Sequence, residues 1–228
     1  MIRALVLAAA LAAPASAADL AAIPFWKTSA GWWQSDNTYF APNLDYNIRL
    51  YNSLVHIEVA GRKVTETEYK FYAPSKLAMS HGDGKTKEGE GTEVVTVITY
   101  DQTDDAGNVR QASASPGTPS GEAATTITVL NADTAQRVSR EAGATTDLYR
   151  MLISQPTPDK RYIANYGIVA KATKEAELGS LRGYSTFFGT RIDAKDFANR
   201  RAQLRAKNNV HTVVAAGPDG KPVAKRLD

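Results

Sequence analysis

The sequence predicts a mainly β protein: a single antiparallel β-barrel or strongly curled sheet, with a C-terminal helix. Three observations carry that reading. Residues 45–74, DYNIRLYNSLVHIEVAGRKVTETEYKFYAP, form two long runs of alternating character around a short turn. Further β-branched or alternating runs recur at 93–100, 125–130, 161–170, 181–192 and 210–215. Near the end, Asp193 is placed as an N-cap before residues 194–207, where Phe197, Arg201 and Leu204 fall along one side of a helix.

The chain starts with a different kind of segment. Arg3 is followed by an apolar run at 4–13, a break at Pro14 and the small residues Ala15-Ser16-Ala17. This is the three-part pattern of a secretory signal, and its apolar run is shorter than the roughly 20 residues that span a bilayer. The expectation is therefore cleavage near Ala17 and a periplasmic or secreted location. A single barrel-like domain is expected at 18–215, including the helix near 194–207, with a flexible tail at 216–228. The 228 residues contain no cysteine. That excludes disulfides, thiol catalysis and thiolate metal sites, even in a compartment that would permit disulfides. The 27 Lys and Arg are interspersed with 24 Asp and Glu, giving a formal charge of +3. Such a mixture is an ordinary solvated surface and predicts no nucleic-acid partner.

Ile23, Pro24, Phe25 and Trp26 suggest a short helix or plug ahead of the sheet. Gly31-Trp32-Trp33 then opens a strand, with a glycine where backbone must pass close to another element. After a loop at 37–45 the alternation changes phase around Asn52-Ser53, which predicts a bulge or bend. A two-residue turn at Ala60-Gly61 would pair Ile57 with Val64 and His56 with Thr65. It puts Leu54, His56, Glu58, Thr65, Thr67, Tyr69 and Phe71 on one face. Val55, Ile57, Val59 and Val64 take the other, with Glu66, Glu68 and Lys70 further along. Residues 80–91 read as a loop, 101–108 as a turn, 109–115 as a further strand and 134–141 as a short helix.

Little in the chain resembles a catalytic motif. His56, His81 and His211 have no zinc spacing, and the GxSxG and GxGxxG motifs are absent. Asp104 and Asp105 offer too few oxygens for calcium, so neither metal nor cofactor is predicted. The best enzyme-like set is His56, Glu58 and Tyr69, as base, orienting carboxylate and neighbour on one strand face. Its alternative is a Glu58–Lys63 surface pair beside a partly exposed histidine. Arg49, Arg182 and Arg191 could neutralise an acidic ligand if they point inward, or snorkel at the sheet surface.

Gly31-x-Trp33, followed by long β runs, resembles the G-x-W signature of the lipocalin and calycin superfamily. The segment Pro24-Phe25-Trp26 is similar to the entry segment of such barrels, and the 193–207 helix to the one at their C-terminal side. The resemblance implies one antiparallel barrel around a small apolar ligand. It also implies a basic residue packed over the tryptophan, for which Arg191 or Arg182 is the nearest match. Haem-binding members of the superfamily would make His56 a candidate ligand.

The function expected is therefore an exported protein that binds a small, largely apolar molecule, hydrophobic or amphipathic, in a β-barrel cavity. Trp33, Arg49, Tyr69, Phe71, Tyr184, Phe188 and Arg191 are the expected ligand contacts. A non-catalytic cell-envelope interaction domain with a filled core is the alternative, and a barrel enzyme using His56 and Glu58 is a further one. No transmembrane segment is expected, and a homodimer stays open.

Overall fold

The computed structural model describes residues 19–40, 47–74, 89–111, 124–140, 147–169, 172, 177–217 and 221–227. The expected signal at 1–17, the loop containing His81 and the 112–115 end of an expected strand lie outside them. A 3-10 turn at Leu20–Ala22 and a short helix α1 (Pro24–Ser29) precede the first strand, as the apolar lead-in implies. Proline stands at the start of α1, where its missing N–H costs nothing.

The strands are β1 (Gly31–Phe40), β2 (Asn47–Ala60), β3 (Lys63–Tyr72), β4 (Gly91–Tyr100), β5 (Gln102–Thr103), β6 (Val109–Arg110), β7 (Ala124–Val129), β8 (Thr134–Arg140), β9 (Asp147–Thr157), β10 (Lys160–Val169), β11 (Leu181–Ile192), β12 (Val210–Ala216) and β13 (Pro222–Arg226). Helix α2 (Phe197–Lys207) comes after β11 and a 3-10 turn that Asp193 caps through the Lys195 N–H. All described strands join one sheet in the order β13-β12-β4-β3-β2-β1-β11-β10-β9-β8-β7-β6-β5. The pairings are antiparallel except β12 with β4.

The sheet is strongly curled, and among the described residues its hydrogen bonding does not close into a ring. Other contacts bridge the gap. Asp101 alone separates β4 from β5, which lies at the far end of the strand order. Arg62, in the β2–β3 turn, donates to the Thr103 carbonyl, and the Thr103 hydroxyl donates back to Arg62 O at 2.6 Å. Across the interior, Arg137 on β8 donates to Glu66 on β3 at 3.2 Å, although five strands separate them in the sheet.

Two apolar clusters sit on opposite faces. Inside, Leu20, Phe25 and Trp26 from the lead-in plug one end against Trp33, Ile57, Val64, Tyr100, Val109 and Ile127. The plug is tied down by Trp26 Nε1 donating to Gly107 O (2.7 Å) and the Leu20 N–H donating to Gly61 O (2.9 Å). Outside, Leu54, Phe71, Ile192 and Leu204 pack with Trp32, Tyr69, Phe197 and Val210 beneath α2. Arg201 and Arg205, one helical turn apart, reach the two oxygens of the fully buried Glu93 at 2.7 and 2.5 Å and fasten α2 to β4.

Several expectations change in detail. The β2–β3 turn is Gly61-Arg62, with Gly61 at φ +58°, so Ala60 pairs with Lys63 and His56 with Thr67. The turn falls one residue later than expected, so the faces keep their composition: the pairing shifts by an even number of positions. The β1–β2 register breaks between Tyr51 and Arg49, close to the expected phase change at Asn52-Ser53. Residues 134–140 of the helix expected at 134–141 are a strand. Thr134–Arg140 is β8, paired on both sides with β7 and β9, because two flanking ladders override a weak helical preference. Within 216–228, read as a flexible tail, Pro222–Arg226 pairs with β12 and buries Ala224.

Candidate functional site

Strand alternation decides what faces the interior. Ser35, Tyr51, Ser53, Val55, Glu66, Glu68, Lys70, Ile98, Arg137, Ile153, Arg161, Ile163 and Phe187 point into a cavity of about 200 Å³. This is smaller than the roughly 300–1,000 Å³ of a drug-sized site. Its walls are partly aliphatic, but its chemistry is ionic, unlike the largely apolar cavity the sequence leads one to expect.

The ions are arranged unevenly. Arg137 pairs with Glu66, their side chains only 13% and 12% exposed. Lys70 Nζ lies 3.4 Å from Glu68, two residues away on the same strand face, and 5.8 Å from the centre of the Tyr51 ring. Arg161, only 7% exposed, is paired with neither carboxylate. Its Nε is buried without a hydrogen-bond partner among the described residues, as are the Ser53 hydroxyl and the Tyr100 hydroxyl. Arg161 sits directly across from Gly189, where a Cβ would lie 3.3 Å from the Arg161 Cβ and 3.1 Å from Ser35 Oγ. The glycine makes room for the arginine stem.

These groups set each other's charge. Burial pushes the Glu66 carboxyl up, but Arg137 and Arg161 together hold it below the usual carboxylate range. Burial also works against the Lys70 ammonium, yet Glu68 and Tyr72 outweigh it and raise its pKa, so Lys70 is a cation and not a free amine nucleophile. For Arg161, burial dominates; Glu66 opposes it from a distance, Arg137 adds to it, and the guanidinium ends below its ordinary value. Burial, then the Glu68 charge, drives the Tyr51 hydroxyl well up, and burial does the same for Tyr100. Both phenols are therefore neutral at ordinary pH. An unpaired buried charge costs several kcal/mol as an order of magnitude, so Arg161 is the least satisfied group in this interior.

The residues singled out from sequence are placed elsewhere. His56 stacks on Trp32 on the outer face, ring centres 4.2 Å apart, and Glu58 is exposed on that face. Tyr69 and Phe71 lie under α2, with Arg201 4.8 Å over the Tyr69 ring. His56, Glu58 and Tyr69 thus share a face, as expected, but it is the face opposite the cavity. The geometry required of a cavity base and its carboxylate is not formed there. Tyr184 and Phe188 also belong to the outer face, Phe188 57% exposed and edge-on to Tyr162. The side chains of Arg49 and Arg182 lie outside the described residues. His211 bonds Asn209 at 3.1 Å. Asp104 accepts from the Ala106 and Asn108 N–H groups and the Asn108 side chain, so it organises its own turn.

Trp33 and Arg191 meet as the resemblance implies. The Arg191 guanidinium lies 4.4 Å from the centre of the Trp33 ring system. It donates to the carbonyls of Ala30 (2.7 Å), Pro158 (2.7 Å) and Thr28. Trp33 Nε1 in turn donates to Ser29 O at 2.8 Å. Gly31 stands at φ +116°, and a Cβ there would fall 2.6 Å from an Arg191 nitrogen. The Gly-x-Trp spacing thus has a local cause: glycine admits the guanidinium that covers the tryptophan two residues on. Trp33 is completely buried in the plug, so its role here is to close one end of the barrel-like sheet.

Comparison with known proteins adds little to this. No known family model matches the chain, and no curated protein matches it. Among solved structures the chain is similar to an S-type phycobiliprotein lyase, CPES, from Guillardia theta. The two share 13% identity over 75% of this chain and 92% of that one, with a TM-score of 0.44. A likeness so remote carries nothing about ligand or activity.

Sequence reasoning missed the interior set for identifiable reasons. Glu66, Glu68 and Lys70 were legible as one strand face with Val55, Ile57 and Val64, but charges on a face argue for solvent unless the sheet curls over them. Arg137 was hidden in the expected helix at 134–141. The alternation Ala135, Arg137, Ser139 was the available signal.

Proposed function

We propose that this chain is an exported protein that binds a small molecule within its curled sheet, and that it is a remote relative of the lipocalin and calycin barrels. The observation that carries the binding reading is the cavity itself: a plugged interior of about 200 Å³ holding five charged side chains and several unpaired polar atoms. A core serving stability alone would be filled with aliphatic side chains, because buried ion pairs are weak contributors to stability. The Gly31, Trp33 and Arg191 arrangement supports the kinship. The Arg3-to-Ala17 pattern supports export. The reading as an envelope interaction domain draws on exposed Tyr162 and Phe188, but it calls for a filled interior, and the cavity counts against it.

Native mass spectrometry of the full chain, expressed with its leader and recovered from the periplasm, tests both parts. The expected result is a polypeptide shortened by cleavage near Ala17 that retains a small molecule. The Ile163→Trp variant, which fills the cavity, should lose that molecule. A chain bare in both forms, or one retaining the same adduct in both, would count against cavity binding; an uncleaved chain would count against export.

A further inference from the structure

We propose that Arg161 is the seat of a ligand carboxylate, and that the cavity takes a compact organic monoanion with a short apolar body. The inference deepens the binding reading above and rests on it. Among the described lining residues, three cations (Lys70, Arg137 and Arg161) face two carboxylates (Glu66 and Glu68). Each carboxylate is already matched: Glu66 to Arg137 at 3.2 Å and Glu68 to Lys70 at 3.4 Å. The remaining charge is a guanidinium only 7% exposed, with a buried N–H that nothing in the described structure accepts. Buried charges are normally paired, and a planar guanidinium is matched in shape by a carboxylate.

The surroundings refine the class of ligand. The Ser53 hydroxyl, also buried and unpaired, is a second donor on the same lining. A dianion has only one unmatched cation to meet, so a single negative charge fits the balance. Ile153, Ile163, Val55 and Ile98 line the same cavity and offer an apolar wall for the rest of the molecule. Its volume, about 200 Å³, excludes long chains and large ring systems held wholly inside.

Benzoate, its neutral isostere benzamide, the cation benzylammonium and inorganic phosphate test this by calorimetric titration into the folded full chain. Benzoate should bind at least tenfold tighter than benzamide, with benzylammonium weaker still and phosphate weaker than benzoate. Arg161→Met should bring benzoate down to the benzamide level. Should that variant fail to fold, the wild-type comparison of benzoate with benzamide decides alone. Equal binding of benzoate and benzamide overturns the carboxylate seat while leaving the cavity reading standing. Phosphate binding as tight as benzoate overturns the apolar body. No binding by any of the four overturns the cavity reading with it.

Discussion

Beyond the plug formed around Ile57 and Val64, the two faces of β2 and β3 reverse the usual arrangement of a sheet. On the outer face Leu54, Tyr69 and Phe71 are apolar and covered by α2; on the inner face Glu66, Glu68 and Lys70 are charged and turned toward the lumen. Each face is therefore read correctly only with knowledge of what lies over it. The outer face is stabilised by packing, which is non-directional and tolerant. Beyond its apolar plug, the inner face is held by ion pairs whose geometry must be met, because a buried charge without a partner is costly. Stability should thus respond to different kinds of change on the two sides.

The sharpest way to break this contrast is at Glu66. Glu66→Gln keeps the shape of the side chain and removes the charge that pairs with Arg137. Breaking one partner of a buried pair typically costs about 3–5 kcal/mol, and the midpoint of urea unfolding at neutral pH should fall accordingly. The acid limb has a defined sign. The folded-state pKa of Glu66 is lowered from its ordinary 4.5, so its contribution is complete above the unfolded value and is lost as pH falls through the folded one. The stability gap between wild type and Glu66→Gln should be constant near neutrality and shrink below about pH 4.5. A gap that widens in acid would mean that Glu66 is protonated in the fold.

On the outer face the corresponding change is Leu54→Ala, which opens a hole under α2 at a completely buried position. The expected loss is roughly 2–5 kcal/mol, set by how far α2 settles into the gap. Unlike Glu66→Gln, it should show no acid dependence, and comparison of the two in one pH series separates packing from pairing.

A smaller effect is expected at the junction of the plug and the sheet. Arg191→Lys keeps the charge but loses the fork over Trp33 and its three carbonyls, at a cost of about 1–3 kcal/mol. Gly31→Ala drives a methyl group into the same guanidinium. The two changes should therefore be non-additive. Near-UV circular dichroism of the tryptophans should change alike in both single variants and no further in the double. Full additivity would show that Gly31 serves its own backbone conformation and not the arginine.

How much of this was readable in the chain depends on the range of the interactions. β11 was legible at both ends, since LRGYSTFFGTRI is rich in aromatic and β-branched residues and Asp193 caps the turn that leads into α2. Gly31 and Trp33 were legible because a local spacing encodes them, and Arg191 because a resemblance pointed to it. The functional interior was not. Glu66 meets Arg137 from 71 positions away, and Arg161 shares a lumen with Glu66 only because the strands between them curl. No local pattern distinguishes an inward-facing charge from a solvated one. The same blindness placed His56, Glu58 and Tyr69 in a cavity: their shared face was right, and the side of the sheet was wrong.

The smallest expected effect completes the comparison. Tyr162 and Phe188 meet on the outer face of β10 and β11, beyond the reach of α2, and Phe188 stays 57% exposed. There the outer surface has aromatic character without a cover, so it should contribute little. Phe188→Ser should change stability by no more than about 0.5 kcal/mol, in contrast to Leu54→Ala on the same face. It should also leave benzoate binding untouched, because Phe188 points away from the cavity. A loss of several kcal/mol that depends on protein concentration in urea unfolding would mean that a second copy of the chain covers this patch. The outer face would then be buried along its whole width, and the contrast with the charged lumen would hold for the assembly and not for the single chain.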